Sequence, residues 1–262
     1  MINSWIISDI YWVFWRDMKK FTQQKARILM AIIQPLVWLV LMGNTMSGLT
    51  RNPMAAKMLG TGSYLDFMTP GIMIMTALFG GVFGGISIVW DRRLGFLNKM
   101  LSAPIHRAAI PLGKLSALGL QTMGQVLLIV FIALILGVHF STGIFGIASM
   151  LLLSGIFGII MGSISLSFAA VLTSMESLMA VTNFFTMPLV FTSNAMFPTS
   201  AMPGWLRVIA HFNPLTYAVG TMRSIATQGF IWENVWPGIL VLTLIAIATI
   251  SISIRVFYRS VS

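Results

Sequence analysis

The chain has 262 residues, of which 57% are hydrophobic and only 8% are Asp, Glu, Lys or Arg. Soluble domains carry about 25% charged residues, and surface-to-volume scaling leaves a soluble domain of this size too much wet surface to be this apolar. A soluble enzyme, a disordered tail and a secreted disulfide scaffold are excluded, the last because Cys is absent. What remains is an all-α integral membrane protein. Its charge is lopsided, 16 Lys plus Arg against 6 Asp plus Glu. In a soluble protein that excess points to nucleic acid; in a membrane protein it first marks which loops face the cytoplasm.

Residues 1–27 place apolar side chains first (Trp5, Ile6, Ile7, Ile10, Trp12, Val13, Phe14, Trp15) and charges after them (Arg16, Asp17, Lys19, Lys20, Lys25, Arg27). That order is the reverse of a signal peptide. Ile6, Ile10, Val13, Phe14 and Phe21 fall near one helical face, and Asp9, Arg16 and Lys20 near another. The segment reads as an amphipathic helix lying on the bilayer, with a plain basic tail as the alternative. A span needs about 20 mostly apolar residues. Six stretches qualify: 28–48, 68–90, 115–138, 144–172, 178–197 and 236–254. Pro35, Pro70 and Pro188 fall inside or at the start of spans, where each is either a packing kink or a hinge. Gly80-Gly81 and Gly84-Gly85 smooth one side of the second span, for packing within one subunit or between two.

Two connections are more than loops. Segment 91–114 is polar, basic and long enough for a short helix. Segment 198–235 is semi-apolar and too short to span, so it reads as helices that enter the membrane and return, or as a surface loop. Counting Lys and Arg, segments 1–27 and 91–114 hold five each and the C-terminal end holds two, Arg255 and Arg259. The other side holds Arg51, Lys57, Arg207 and Arg223. Twelve against four predicts that both termini are cytoplasmic.

The sequence contains no GxxxxGK[ST]: Gly113-Lys114 lacks the upstream Gly and is followed by Leu115, so no P-loop holds ATP on this chain. No metal-binding spacing occurs, and His106, His139 and His211 lie far apart in connections. No cofactor or metal is expected on the chain itself, and no catalytic residue emerges. Ion-coupled transporters carry ionisable groups in mid-span, yet Asp66 and Glu176 fall at span ends. A transporter without a visible energy source would draw on an external motor.

The segment Asp91-Arg92-Arg93-Leu94-Gly95-Phe96-Leu97-Asn98-Lys99-Met100-Leu101-Ser102-Ala103-Pro104-Ile105-His106-Arg107, closed by Gly113-Lys114, resembles the hallmark of the ABC type-2 permease family. These are the membrane subunits of ATP-binding-cassette exporters. Arg93 departs from it, since many members carry Glu there. Phe197-Pro198, Met202-Pro203-Gly204-Trp205-Leu206, then Asn213-Pro214-Leu215-Thr216-Tyr217 and Arg223 resemble a second family motif, on the extracytoplasmic side. The resemblance covers essentially the whole chain and is nearest to the daunorubicin-resistance branch.

The resemblance implies one transmembrane domain over residues 1–262, working as a homodimer in the plasma membrane beside a separate ATPase that holds ATP and Mg. Cargo would be a lipophilic drug, a lipid or a lipid-linked compound, moved outward. Asp91, Arg92, Arg93, Gly95, Met100, Leu101, Pro104 and Arg107 become candidates for coupling to the motor. Asp91 would cap the short helix, Pro104 would end it, and Met100, Leu101 and Ile105 would fill a groove on the motor inside a basic rim. The competing role for the basic residues is topology and contact with anionic lipid. Phe184, Phe185, Met187 and Phe191 are candidates to line a cargo cavity. Two readings compete with the exporter: an ion-coupled transporter or channel without an ATPase, and a membrane-embedded enzyme or scaffold.

Overall fold

The computed structural model describes residues 2–46, 63–172 and 174–260. Arg51 and Lys57, expected on the outer side, lie outside the described residues, as does the end of the first expected span. Among the described residues every regular element is a helix. Two helices begin the chain, α1 (Ile2–Gln23) and α2 (Lys25–Met46), and their axes meet at 77°. Next come α3 (Tyr64–Gly84) and α4 (Ile86–Arg93), then the short α5 (Phe96–Ser102). The long helices α6 (Ala109–Ile135) and α7 (Gly143–Val171) follow, then α8 (Met175–Phe191). A 3-10 turn (Thr199–Ala201) leads to α9 (Gly204–Phe212) and α10 (Pro214–Arg223), and a π turn (Ser224–Gln228) leads to α11 (Trp232–Ser260).

Four stretches are long and apolar enough to cross a membrane: Tyr64–Arg93, Ala109–Ile135, Gly143–Val171 and Trp232–Ser260. The bent α1–α2 pair makes a fifth if it is counted as one span. The count therefore differs from the expected six at two places. At the N-terminus, helix and bend fall where a surface helix and a first span were expected. At the fifth expected span, α8 has only 17 residues, the lower limit for crossing. Beyond Phe191 the chain turns inward and lays the Ala195 carbonyl against Gly71 of α3.

Helix ends follow local chemistry. Ser63 accepts from the Leu65 N–H at 3.3 Å to start α3, and Ser174 accepts from the Ser177 N–H at 3.1 Å to start α8. Gly95, at φ 72°, breaks α4 from α5 in a conformation that only glycine adopts cheaply. As expected, α5 ends just before Pro104. Within the spans, hydroxyls return their hydrogen bonds to the helix itself: Thr76 donates to the Ile72 carbonyl at 2.9 Å and Thr122 to the Leu118 carbonyl at 2.8 Å. This satisfies those two donors within their own helices.

The glycine pairs of α3 serve packing inside the subunit. A Cβ at Gly81 would lie 2.6 Å from both the Gly158 carbonyl and the Met161 Cβ of α7. One apolar core runs along α3, α7 and α10 through Phe67, Met73, Phe157 and Met222. A second gathers at the end that carries the basic segment, around Ile88, Leu97, Ile110, Leu166 and Phe257. That end is the basic end below, and the other is the far end.

Candidate functional site

Asp91 is fully buried at the basic end. It does not start the short helix, as the sequence reading expected, but sits in the last turns of α4, one helix earlier. Three cations converge on it. Lys114 of α6 reaches Oδ2 at 2.5 Å, while Arg16 and Lys20 of α1 reach Oδ1 at 2.6 Å and 3.5 Å. Lys114, itself buried, also bonds Asp17 of α1 at 3.2 Å and Ser87 at 3.4 Å. A buried charge is tolerated only when it is paired and hydrogen-bonded, so this cluster clamps α1, α4 and α6 into one body.

The Gly113-Lys114 pair now has a physical meaning. Lys114 supplies the buried cation. Gly113 lets α1 come close, because a Cβ there would lie 2.7 Å from Val13 Cβ and 2.8 Å from the Ile10 carbonyl. A second tie lies further along, where Asp9 accepts from both the His106 backbone N–H and its imidazole Nδ1, each at 3.0 Å. The backbone donor first, and then the imidazole, hold the Asp9 carboxyl below the usual carboxylate range. The polar face of α1 thus turns toward the protein. Tyr11, Trp12 and Trp15 turn away from it, with Tyr11 and Trp15 stacked at 6.4 Å.

The basic segment also differs from expectation in what it exposes. Met100, Leu101 and Ile105 do not point outward but pack against the core of the basic end, and Met100 Sδ accepts from Arg16 at 2.9 Å. The outward apolar residues are Leu94, 58% exposed, and Phe96, 47% exposed. Arg16 and Lys99 flank the Phe96 ring at 5.6 and 5.5 Å. Arg92 caps the C-terminal end of α7 through the Ala170 carbonyl at 3.0 Å. Arg93 faces Glu176 of α8 at 3.9 Å, an exposed pair of little energetic weight. Pro104 and Arg107 lie exposed beyond α5.

At the far end the second motif is a set of ties. Asn213 accepts from the Leu215 N–H at 2.9 Å and so caps α10, with Pro214 in its first turn. The Asn213 amide donates to the Leu189 carbonyl at 2.7 Å, an orphan of the α8 C-terminus, and to Thr192 Oγ1 at 2.9 Å. Tyr217 donates to the His211 carbonyl at 2.8 Å and closes the α9–α10 corner. Arg223 lies 3.8 Å above the Phe67 ring and donates to the Phe67 and Asn194 carbonyls at 3.2 and 3.0 Å. Asn213→Ala is expected to lower stability by about 1–3 kcal/mol, the cost of the lost cap and the stranded Leu189 carbonyl. Thermal unfolding in detergent measures it; an unchanged midpoint would reject the capping role.

A cavity of about 640 Å³ runs from the charge cluster between α1–α2 and α3–α6, as far as Met68 and Met196. Its wall is apolar for most of its length. Phe184, Phe185, Met187 and Phe191 do not line it. They stand exposed on α8, Phe184 at 73%, so any cavity they help to form needs a second surface facing them.

Residues 8–227 match the family described as ABC-2 type transporter. The chain belongs to the ABC-2 type transporter family. The permease is 33% identical over 222 residues to the transport permease ycf38 of Porphyra purpurea, covering 84% of this chain and 74% of that one. It is 25% identical to the daunorubicin resistance ABC transporter permease protein DrrB1 of Streptomyces coeruleorubidus, over 84% of this chain and 75% of the other. It is 22% identical to the doxorubicin resistance ABC transporter permease protein DrrC of Mycobacterium tuberculosis, over 94% and 87%. With its apolar helices, the permease is a multi-pass membrane protein.

Sequence reasoning missed several residues of the permease. Asp9, Arg16 and Lys20 read as the polar face of a surface helix, and Asp17 as one of the charges that follow its apolar residues. The available signal was scarcity: Asp9, Asp17 and Asp91 are three of only six acids in the chain. Leu94, at the end of α4, and Phe96, at the start of α5, were passed over because so short a stretch does not reveal which of its sides the neighbouring helices cover. Gln121 and Gln125, both in the cavity wall, were hidden by the high hydropathy around them.

Proposed function

We propose that the chain is the transmembrane subunit of an ATP-driven exporter, moving a lipophilic drug-like, lipid or lipid-linked substrate out of the cytoplasm or the inner leaflet. A separate ATPase subunit binds ATP and Mg and docks on the basic end. Two copies of the chain pair through surfaces that include the exposed face of α8. In this reading α2 and α8 both cross the plasma membrane, which makes six spans with both termini cytoplasmic. The Tyr11–Trp12–Trp15 face of α1 rests in the bilayer interface, where aromatic side chains settle, and α9 and α10 dip into the outer face.

The observation that carries the proposal is the fastening of the basic segment. α4 and α5 present Leu94 and Phe96 outward in a basic surround, while the Asp91 cluster locks the same segment to α1 and α6. An apolar anchor inside a charged rim suits a protein partner, and the buried ion pairs pass its displacement to the spans without slack. Leu94→Ala with Phe96→Ala is expected to weaken co-purification with the ATPase at least ten-fold and to abolish ATP-dependent transport, leaving the fold intact because both side chains are exposed. Undiminished co-purification would sink the docking assignment. Transport by the chain alone in liposomes without ATP would sink the exporter reading as a whole.

A further inference from the structure

The cavity between α1–α2 and α3–α6 carries polar chemistry that packing does not consume. At its mouth, Arg16, Lys20 and Lys114 stand against two carboxylates, Asp17 and Asp91, which leaves one positive charge uncompensated. Lys114 spends its protons on Asp91, Asp17 and Ser87. Arg16 holds Asp91 at 2.6 Å and Met100 Sδ. Lys20 is the least engaged of the three: it is half-buried, lines the cavity, and its one contact in the cluster is 3.5 Å long. The spare charge therefore faces the cavity through Lys20.

Deeper in, Gln121 and Gln125 of α6 line a mostly apolar stretch with Ile72, Met75 and Phe79, where the other polar side chains are Gln34 of α2 and Thr76, whose hydroxyl is bonded to the Ile72 carbonyl. Gln125 is nearly buried. At 1.5 Å of rise per residue, these two amides stand roughly 10 and 16 Å along the helix from Lys114. Polar groups at such depth cost free energy unless something pairs with them. A plain acyl chain offers nothing to either amide. The volume, about 640 Å³, lies inside the range of about 300–1,000 Å³ typical of small-molecule pockets.

We propose that this cavity within a single subunit is a binding site for an amphiphile with an anionic head at Lys20 and hydrogen-bonding atoms partway along its apolar body, facing Gln121 and Gln125. The site deepens the exporter reading, on which its role as a cargo site rests, by naming the chemical class of the cargo. It opens beside the Asp91 clamp, so an occupant touches the helices that carry motion from the basic segment.

The test uses the full chain in phosphatidylcholine nanodiscs. A photoreactive stearate supplies the carboxylate, and stearate and a mid-chain hydroxystearate compete with it. Mass spectrometry maps the adducts, which are expected on α2, α3 and α6 around the cavity. Hydroxystearate should displace the label at a concentration about two- to ten-fold lower than stearate, the worth of one hydrogen bond. Gln121→Leu with Gln125→Leu should erase that difference. Lys20→Gln should weaken both competitors about ten-fold or more, and Lys20→Arg should restore them. Met75→Trp, which fills the cavity, should remove the adducts. Adducts confined to the outer lipid-facing surface, equal competition in the unaltered chain, or indifference to Lys20→Gln would each overturn the site. If the ATPase still co-purifies in those cases, the exporter reading survives without it. If the probe binds as expected but no ATPase associates, the exporter reading falls and the site stands.

Discussion

Asp91→Ala is expected to destabilise the chain by about 3–5 kcal/mol, the usual penalty for leaving a buried charge without its partner. Lys114 is the residue stranded. Its ammonium is almost fully buried, and only the Asp17 carboxylate at 3.2 Å and the Ser87 hydroxyl at 3.4 Å would remain to it. Arg16 and Lys20 lose their shared acceptor at the same time. The loss should appear as poor recovery from the membrane and a lowered unfolding midpoint. A paired change, Asp91→Leu with Lys114→Met, removes the two most buried charges and should recover part of the loss, because replacing a buried ion pair by apolar residues is often neutral; the part not recovered belongs to Asp17, which loses its Lys114 partner. The paired variant should then separate stability from function. It would fold, but with α1 no longer clamped to α4, ATP hydrolysis by the proposed ATPase partner should uncouple from transport. A single Asp91→Ala variant as stable as the unaltered chain would show that the cluster does not hold these helices together.

Gly81→Leu is expected to be as damaging for a different reason. The new side chain would start 2.6 Å from the Gly158 carbonyl and the Met161 Cβ. Backbone of α7 stands in the way, so no rotamer relieves the clash and the two helices must separate. Overpacking of this kind costs about 1–3 kcal/mol or more. Gly124→Leu is the matched control, since it adds the same side chain inside a span at a site with nothing within 4 Å. Size-exclusion profiles and thermal unfolding of the two variants should diverge, Gly81→Leu aggregating and Gly124→Leu running as the unaltered chain does. Equal behaviour would mean that the α3–α7 contact is not the seam that the glycines indicate.

Much of the fold was legible because the membrane simplifies the problem. Backbone groups in hydrocarbon must be satisfied within the segment, so long apolar runs become helices and their order can be read directly. The helices Tyr64–Arg93, Ala109–Ile135, Gly143–Val171 and Trp232–Ser260 match four expected spans closely. The basic segment and the Asn213-to-Arg223 motif were visible as strings of residues, but not what those residues do. Asn213, Tyr217 and Arg223 tie together helices that are up to 156 positions apart in sequence. Met100 and Leu101 looked like outward anchors because hydropathy has no direction on a seven-residue helix.

Length, hydropathy and the lopsided charge by themselves determined a helical membrane protein with a concentration of basic residues in short connections. Only the tertiary structure decided what that positive charge does. Part of it is spent inside, on Asp91 and Asp17, and part remains at the mouth of a cavity through Lys20. The physical reason is range. Hydropathy and helix formation act between neighbours in sequence, whereas Arg16, Asp91 and Lys114 come from three separate helices and meet only once those helices have packed.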